Sequence, residues 1–186
     1  MKLNLVAPSG ERGFTLVETM VVVVLLAVIA VMATPTFVAW QVRDRVDARA
    51  RALVSTLAYA RSEALRRGMR VTVCRIDAAR QCLAAGKACP NGQADWSCGW
   101  AVMVERAGRL SVLRVQPEVA TVSITGTLTD IAFTPPAGQV IGSFRSLDFA
   151  PRTPSEATHG DSWRRCVSIA AGGRARSVEG ACKGGS

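Results

Sequence analysis

The sequence predicts an α+β chain in which a long N-terminal helix packs on a C-terminal antiparallel β-domain. Three observations predict it. An apolar run, MVVVVLLAVIAVMA over Met20–Ala33, lies near the start of the chain, and weakly polar flanks extend the hydrophobic stretch from about Phe14 to Trp40. Apolar residues then recur at three- and four-residue intervals as far as Ala64, the period of a helix with one buried face. Beyond Gly68 the period falls to two, and Gly and Pro punctuate the segments, as expected of strands.

The elements follow in order. Residues 1–13 form a short polar leader carrying Lys2, Glu11 and Arg12. Residues 14–42 form a hydrophobic helix, long enough to cross a bilayer, which takes about 20 residues. Glu18 interrupts its start, where an unpartnered carboxylate is costly in lipid. Pro35 removes one backbone donor, so a kink or locally melted turn is expected there. Residues 43–68 form an amphipathic helix with a stripe of Val46, Ala50, Leu53, Leu57, Ala60 and Ala64, while Arg43, Arg45, Arg49, Arg51 and Arg61 populate its other faces. Gly68, after Arg66-Arg67, is a helix stop signal. From Phe14 to Arg67 such a helix would extend roughly 80 Å at 1.5 Å per residue.

Residues 69–186 form the β-rich head. Strands are expected at Arg70–Ile76, Trp100–Glu105, Arg109–Gln116, Val119–Thr125, Asp130–Thr134, Gln139–Phe149 and Arg165–Ala170, with a last one at Ala175–Glu179. Residues Pro151–Asp161 read as an exposed loop. Trp96 and Trp100 are expected in the core, since tryptophan is highly buried on average.

Six cysteines, at 74, 82, 89, 98, 166 and 182, give an even count that suggests three disulfides and an oxidising compartment. Zinc is the rival reading, but there is no C-x-x-C pair and His159 is the only histidine. Structural zinc prefers close-set ligand pairs, so no metal is expected. Fifteen connectivities remain open to six cysteines. The formal charge of +9 favours acidic partners such as nucleic acid, anionic lipid or an acidic protein face. Such charge equally describes a solvated basic surface. No catalytic set emerges: acidic residues are scattered, there is no Gly-rich phosphate loop, and no cofactor is implied. The sequence reads as a non-enzyme.

An ordinary secretory signal would be cut after its hydrophobic region at small residues, and Ala33-Thr34 offer such a place. Glu18 and the continuing helical pattern speak against it. The segment Gly13-Phe14-Thr15-Leu16-Val17-Glu18 with its apolar run resembles the class III signal of type IV pilins and type II secretion pseudopilins. That resemblance implies cleavage by a prepilin peptidase between Gly13 and Phe14, and N-methylation of Phe14. It also implies that Glu18 pairs with the terminal amine of a neighbouring Phe14 during assembly, which would neutralise a carboxylate otherwise costly to bury. Three further stretches are similar to the GspH/FimT group of minor pilins and pseudopilins. They are Ala60-Arg61-Ser62-Glu63-Ala64-Leu65-Arg66-Arg67-Gly68, Val71-Thr72-Val73-Cys74 and Asp95-Trp96-Ser97-Cys98-Gly99-Trp100. By that resemblance Cys74 pairs with Cys82. Cys89–Cys98 is then expected as an additional local bridge, and Cys166–Cys182 would close a C-terminal hairpin.

That hairpin is basic. Arg164, Arg165, Arg174, Arg176 and Lys183 stand against one acid, Glu179, between Ser162 and the end of the chain. Gly172-Gly173 suits a tight turn. Arg174 and Arg176, two apart, would face one side of a strand. Gly173-Arg174-Ala175-Arg176 is similar to the G-R-x-R motif of FimT-type minor pilins, where it is associated with DNA uptake in natural transformation. Paired guanidiniums there would contact phosphates, and Trp163, if exposed, would add base stacking. The plainer reading is that these arginines pair with carboxylates on a neighbouring pilin or cover a sheet face.

The resemblance therefore implies a minor type IV pilin that is incorporated in, or primes, a pilus, and that binds DNA through the basic hairpin. The alternative is a GspH-like minor pseudopilin of a type II secretion system, touching exported substrates. Implied partners are other major and minor pilins, the prepilin peptidase and the inner-membrane assembly platform. Implied localisation is single-pass in the bacterial inner membrane with the head in the periplasm, then in the pilus or pseudopilus.

Overall fold

The computed structural model describes residues 13–89, 92, 95–126, 128–140 and 145–183. Lys2, Glu11 and Arg12 of the expected leader lie outside them. Two compact units divide between Val38 and Ala39. Helix α1 runs Leu16–Arg67. It starts where it does because Thr15 caps it: the Glu18 N–H donates to Thr15 Oγ1 at 3.2 Å. Thr15-x-x-Glu18 has the spacing of a capping box, a start signal additional to the apolar run. The melted turn expected at Pro35 does not form, and α1 is unbroken through that position. Proline deletes only one backbone hydrogen bond, and helical turns flank it on both sides.

In the first unit the described side chains of residues 13–38 are all exposed, including Leu25, Leu26 and Ile29. The second unit has its own core. Val46, Ala50, Leu53, Leu57, Ala60 and Ala64 are each at most 1% exposed and form the helix side of that core. The expected stripe is the buried face. Arg49, expected on another face, is also buried. Its guanidinium lies 3.9 Å over the Trp100 ring and donates to the Pro117 carbonyl at 2.6 Å. Burial pushes its pKa down to about 10. A helical polar face reads as solvated from spacing alone; a stacking partner across the fold does not show.

Two sheets take up the rest. Strands β1 (Val71–Arg75), β2 (Trp100–Arg106), β3 (Arg109–Gln116), β5 (Asp130–Thr134) and β6 (Gln139–Val140) form a five-stranded sheet in the order β3-β2-β1-β5-β6. Strands β4 (Val122–Thr125), β7 (Arg145–Pro151), β8 (Arg165–Ile169) and β9 (Ala175–Glu179) form a four-stranded sheet in the order β4-β7-β8-β9. Every pairing is antiparallel. The strand expected at Gln139–Phe149 is instead two strands in different sheets, with residues 141–144 outside the described part. Period two marks both halves but carries no sign of a sheet change. Val119, expected to begin a strand, is tied by its N–H to the Ser97 carbonyl, and β4 begins three residues later.

Alternation gives the five-stranded sheet two buried faces. Val71, Val73, Trp100, Val102, Val104, Ile131 and Phe133 join the helix stripe, with Val122, Ile124, Leu147, Phe149, Val167 and Ile169 from the other sheet. Cys74, Ile76, Ala101 and Met103 form a smaller cluster on the far face, closed over by Cys82 and Val115. Trp96 and Trp100 are both in the main core.

Asp95 fastens the two sheets. It caps the 3₁₀ turn Trp96–Cys98 by accepting from the Ser97 N–H at 3.0 Å, and it also accepts from the Ser97 hydroxyl. The Ser123 hydroxyl and Ile124 N–H of β4, at 3.2 and 3.4 Å, and Arg152 Nη2, just past β7, at 2.8 Å also donate to it. Burial by itself would raise the Asp95 pKa; the Ser97 and Arg152 donors outweigh it and hold the carboxyl below the usual range. Glu63 is likewise held low, by Arg66 first and then Arg67. A carboxyl depressed in the folded state adds stability above its unfolded pKa of about 4, and that contribution is lost as pH falls through the folded value. Chemical denaturation should therefore show stability steady at neutral pH and falling below about pH 4. Asp95→Ala should cost about 2 kcal/mol at pH 7, less than for a fully buried pair because Arg152 is partly exposed. It should also shrink the acid-side loss.

Candidate functional site

Two surfaces gather the residues singled out in the sequence. The first is the N-terminal stretch of α1. Phe14 is 81% exposed, Gly13 and Glu18 are exposed, and the residues from Met20 onward present bare aliphatic side chains on all sides. The helix is long and apolar enough to cross a membrane. A large, contiguous apolar surface of this kind needs cover by lipid or protein.

The second is the C-terminal hairpin β8–β9. Its turn is built on a close approach. Gly173 has φ +76°, and a Cβ there would overlap the Gly138 carbonyl oxygen and press on Phe133 and Arg61. Gly138 is equally confined: its Cβ would lie 2.8 Å from Arg61 Cγ. The two glycines meet beside the Arg61 stem, and the Gly173 N–H closes the turn onto the Ala170 carbonyl at 2.8 Å. Beyond the turn β9 is a sheet edge, with Ala175 opposite Ile169 and Arg176 opposite Ser168.

The five cations proposed from sequence divide here. Arg164 is held by Asp148 in a two-pronged pair, Nε to Oδ1 at 3.1 Å and Nη2 to Oδ2 at 2.7 Å. That pairing raises its pKa. Arg165 is buried, donates to the Ser162 and Arg164 carbonyls, and pairs with Asp47 of α1. Neither offers a free guanidinium. The neighbouring acids fall on α1 and β7, distant in sequence, which is why residue type alone grouped all five. Arg174, Arg176 and Lys183 are exposed. The Arg174 guanidinium has no hydrogen-bond or ion-pair partner among the described residues, while Arg176 Nε donates to Ser168 Oγ at 3.2 Å. Both line one cleft of about 440 Å³ with Ser168 and Ala170. Glu179, the one acid on the hairpin, pairs with Arg43 at 2.9 Å and leaves the turn uncompensated. Trp163 is half-buried.

All six cysteines are joined, Cys74 to Cys82, Cys89 to Cys98 and Cys166 to Cys182, with Cα–Cα separations of 5.5, 5.5 and 4.8 Å. The last bridge fastens the segment after β9 to β8, and the Cys182 N–H donates to Asp148 Oδ2 at 3.1 Å. His159 is exposed, with Nδ1 3.3 Å from the Ser155 carbonyl. Among the described residues no group of three metal-capable side chains converges. Arg61 lies under the turn, a place that its polar helical spacing gave no sign of. Asp148, an isolated acid in an apolar strand, was equally silent in the sequence.

Comparison with known proteins agrees with this architecture. The family described as type II transport protein GspH matches residues 49–173. The prokaryotic N-terminal methylation motif matches residues 8–34. No curated protein matches the sequence. Two crystal forms of the type IV minor pilin FimU of Pseudomonas aeruginosa PAO1 share the fold. One is 21% identical at a TM-score of 0.53, covering 72% of this chain and 88% of its own. The other is 20% identical at 0.52, covering 71% and 91%. With a family match over more than half its length, a methylation motif on its apolar helix and a pilin fold, the chain belongs to the GspH family of minor pilins and pseudopilins.

Proposed function

We propose that this chain is a minor type IV pilin, stored in the inner membrane by its apolar helix and incorporated in, or priming, a pilus with its head in the periplasm. The observation that carries the reading is the exposed aliphatic surface from Met20 to Ala33, lying within the matching methylation motif. Lipid would cover that surface before assembly, and the helices of other major and minor pilins would cover it afterwards. Processing by the prepilin peptidase would cut between Gly13 and Phe14 and leave Phe14 as the methylated terminus. Glu18 would then meet the terminal amine of the next subunit, a pairing that matters because the surroundings are apolar. The inner-membrane assembly platform would receive the chain, and a separate ATPase would supply the energy, since the sequence carries no Gly-rich phosphate loop. The same helix would serve a type II secretion pseudopilus, and the family name favours that alternative; the filament with which the chain co-purifies decides between them.

A second reading is supported by the hairpin. Arg174 and Arg176 share one exposed cleft free of carboxylates, as a phosphate backbone requires. Lys183 adds charge after the hairpin, whereas Arg164 and Arg165 drop out as contacts and serve to brace it.

Three measurements check these readings. Intact mass and N-terminal sequencing of protein from membranes should give a chain beginning at N-methylated Phe14; one beginning beyond Ala33 would refute the anchor. Glu18→Ala should be cleaved normally yet be depleted from sheared filaments on immunoblots, with the head still folded. Gel shifts at low salt should show DNA retarded by the wild-type protein, and Arg174→Gln with Arg176→Gln should remove most of that shift. The same double change should lower the slope of log affinity against log salt by about 0.9 for each phosphate no longer neutralised.

A further inference from the structure

Arg174 also borders a second cleft that the G-R-x-R resemblance does not include. On the other side of Arg174, between the turn and α1, is a cleft of about 340 Å³ lined by Val54, Ala58, Arg61, Ser62, Leu65 and Gly173–Ala175. It shares Arg174 and Ala175 with the cleft holding Arg176. The two therefore adjoin at those residues. Neither is lined by a carboxylate. The nearest acid on the helix, Glu63, is occupied by Arg66 and Arg67.

Arg61 is the unassigned cation of this groove. Its stem is held by the meeting of Gly138 and Gly173, and its head is poorly satisfied. Nη2 reaches the Ala137 carbonyl only at 3.4 Å, and Nε is buried without a partner. Such a guanidinium is already oriented by packing and retains donors for an anion. Beside it, Val54, Ala58 and Leu65 recur on one helical face, and Leu65 is 45% exposed. Cations above an apolar floor fit a nucleic acid strand, whose phosphates take the charge while an unstacked base or sugar covers the hydrocarbon.

We propose that a DNA strand held by Arg174 and Arg176 continues into the α1 cleft, where Arg61 makes a third phosphate contact and Leu65 supports an unpaired nucleotide. The proposal rests on the DNA reading of the hairpin and extends it to the amphipathic helix. Single-stranded DNA is then the preferred form, because only an unpaired base reaches the apolar floor.

The test is fluorescence anisotropy of labelled 20-nucleotide single-stranded and duplex DNA, titrated with the full mature chain in detergent over a salt series. Arg61→Met keeps the stem against the two glycines and removes the charge. It should weaken binding roughly tenfold at low salt and lower the single-strand salt slope by about 0.7. Circular dichroism melting should be unchanged. Leu65→Ala should weaken single-stranded DNA more than duplex. If wild type binds and Arg174→Gln with Arg176→Gln abolishes binding, yet Arg61→Met matches wild type in affinity and slope, the extension is overturned while the hairpin reading stands. If wild type binds neither DNA, the hairpin reading itself fails, and the extension with it. Polyglutamate competing as well as DNA at equal charge would overturn a nucleic-acid groove in favour of an acidic protein face.

Discussion

Burial of the α1 stripe from Val46 to Ala64 is the contact on which the head is organised. Two leucines and a valine in that stripe each gain on the order of 2 kcal/mol from leaving water. The three alanines are buried in the same stripe. Both sheets pack on this one stripe, since Val71, Trp100 and Phe133 from the first and Ile124, Phe149 and Val167 from the second join the same cluster. The loops between strands are thereby held at fixed distances from the polar faces of α1. Arg61 meets the hairpin turn, Arg165 meets Asp47 and Arg43 meets Glu179 only because the stripe sets the height of everything above it.

A second constraint is the sorting of charge. The chain is strongly basic, yet several of its cations are committed to ion pairs within the head. Asp95 takes Arg152, Asp148 takes Arg164, Asp47 takes Arg165, and Glu63 takes two guanidiniums at once. Each of these acids is buried or largely so, where an ion needs its partner. What remains for solvent or a ligand is a smaller set, and on the hairpin it is Arg174 and Arg176. A bare count of basic residues therefore overstates the unpaired guanidiniums that a partner would meet.

Much of this was legible in the sequence because it rests on periodicity. The helix stripe, its end before Gly68, the strand pattern and the burial of Trp96 and Trp100 all follow from spacing and residue size. The resemblance to the GspH/FimT group carried what spacing leaves undetermined, above all the partner of Cys74. What was not legible depends on residues far apart in the chain. Arg49 looked solvated because its stacking partner, Trp100, sits in a strand that spacing does not bring near it. Gln139–Phe149 looked like one strand because alternation persists while the chain changes sheets. Arg164 and Arg165 looked free because Asp148 and Asp47 lie on other elements. Pro35 suggested a break that does not occur: one missing donor is a local loss, and helix continuity is decided by the turns around it.

The turn at Gly173 has a meaning for how a G-R-x-R string should be read in other sequences. Its glycine is demanded by a neighbouring carbonyl and by the helix beneath, whatever the arginines touch. Loss of that glycine reports a rebuilt corner of the scaffold, whereas loss of either arginine reports a changed exterior. The four letters are two separate messages written side by side.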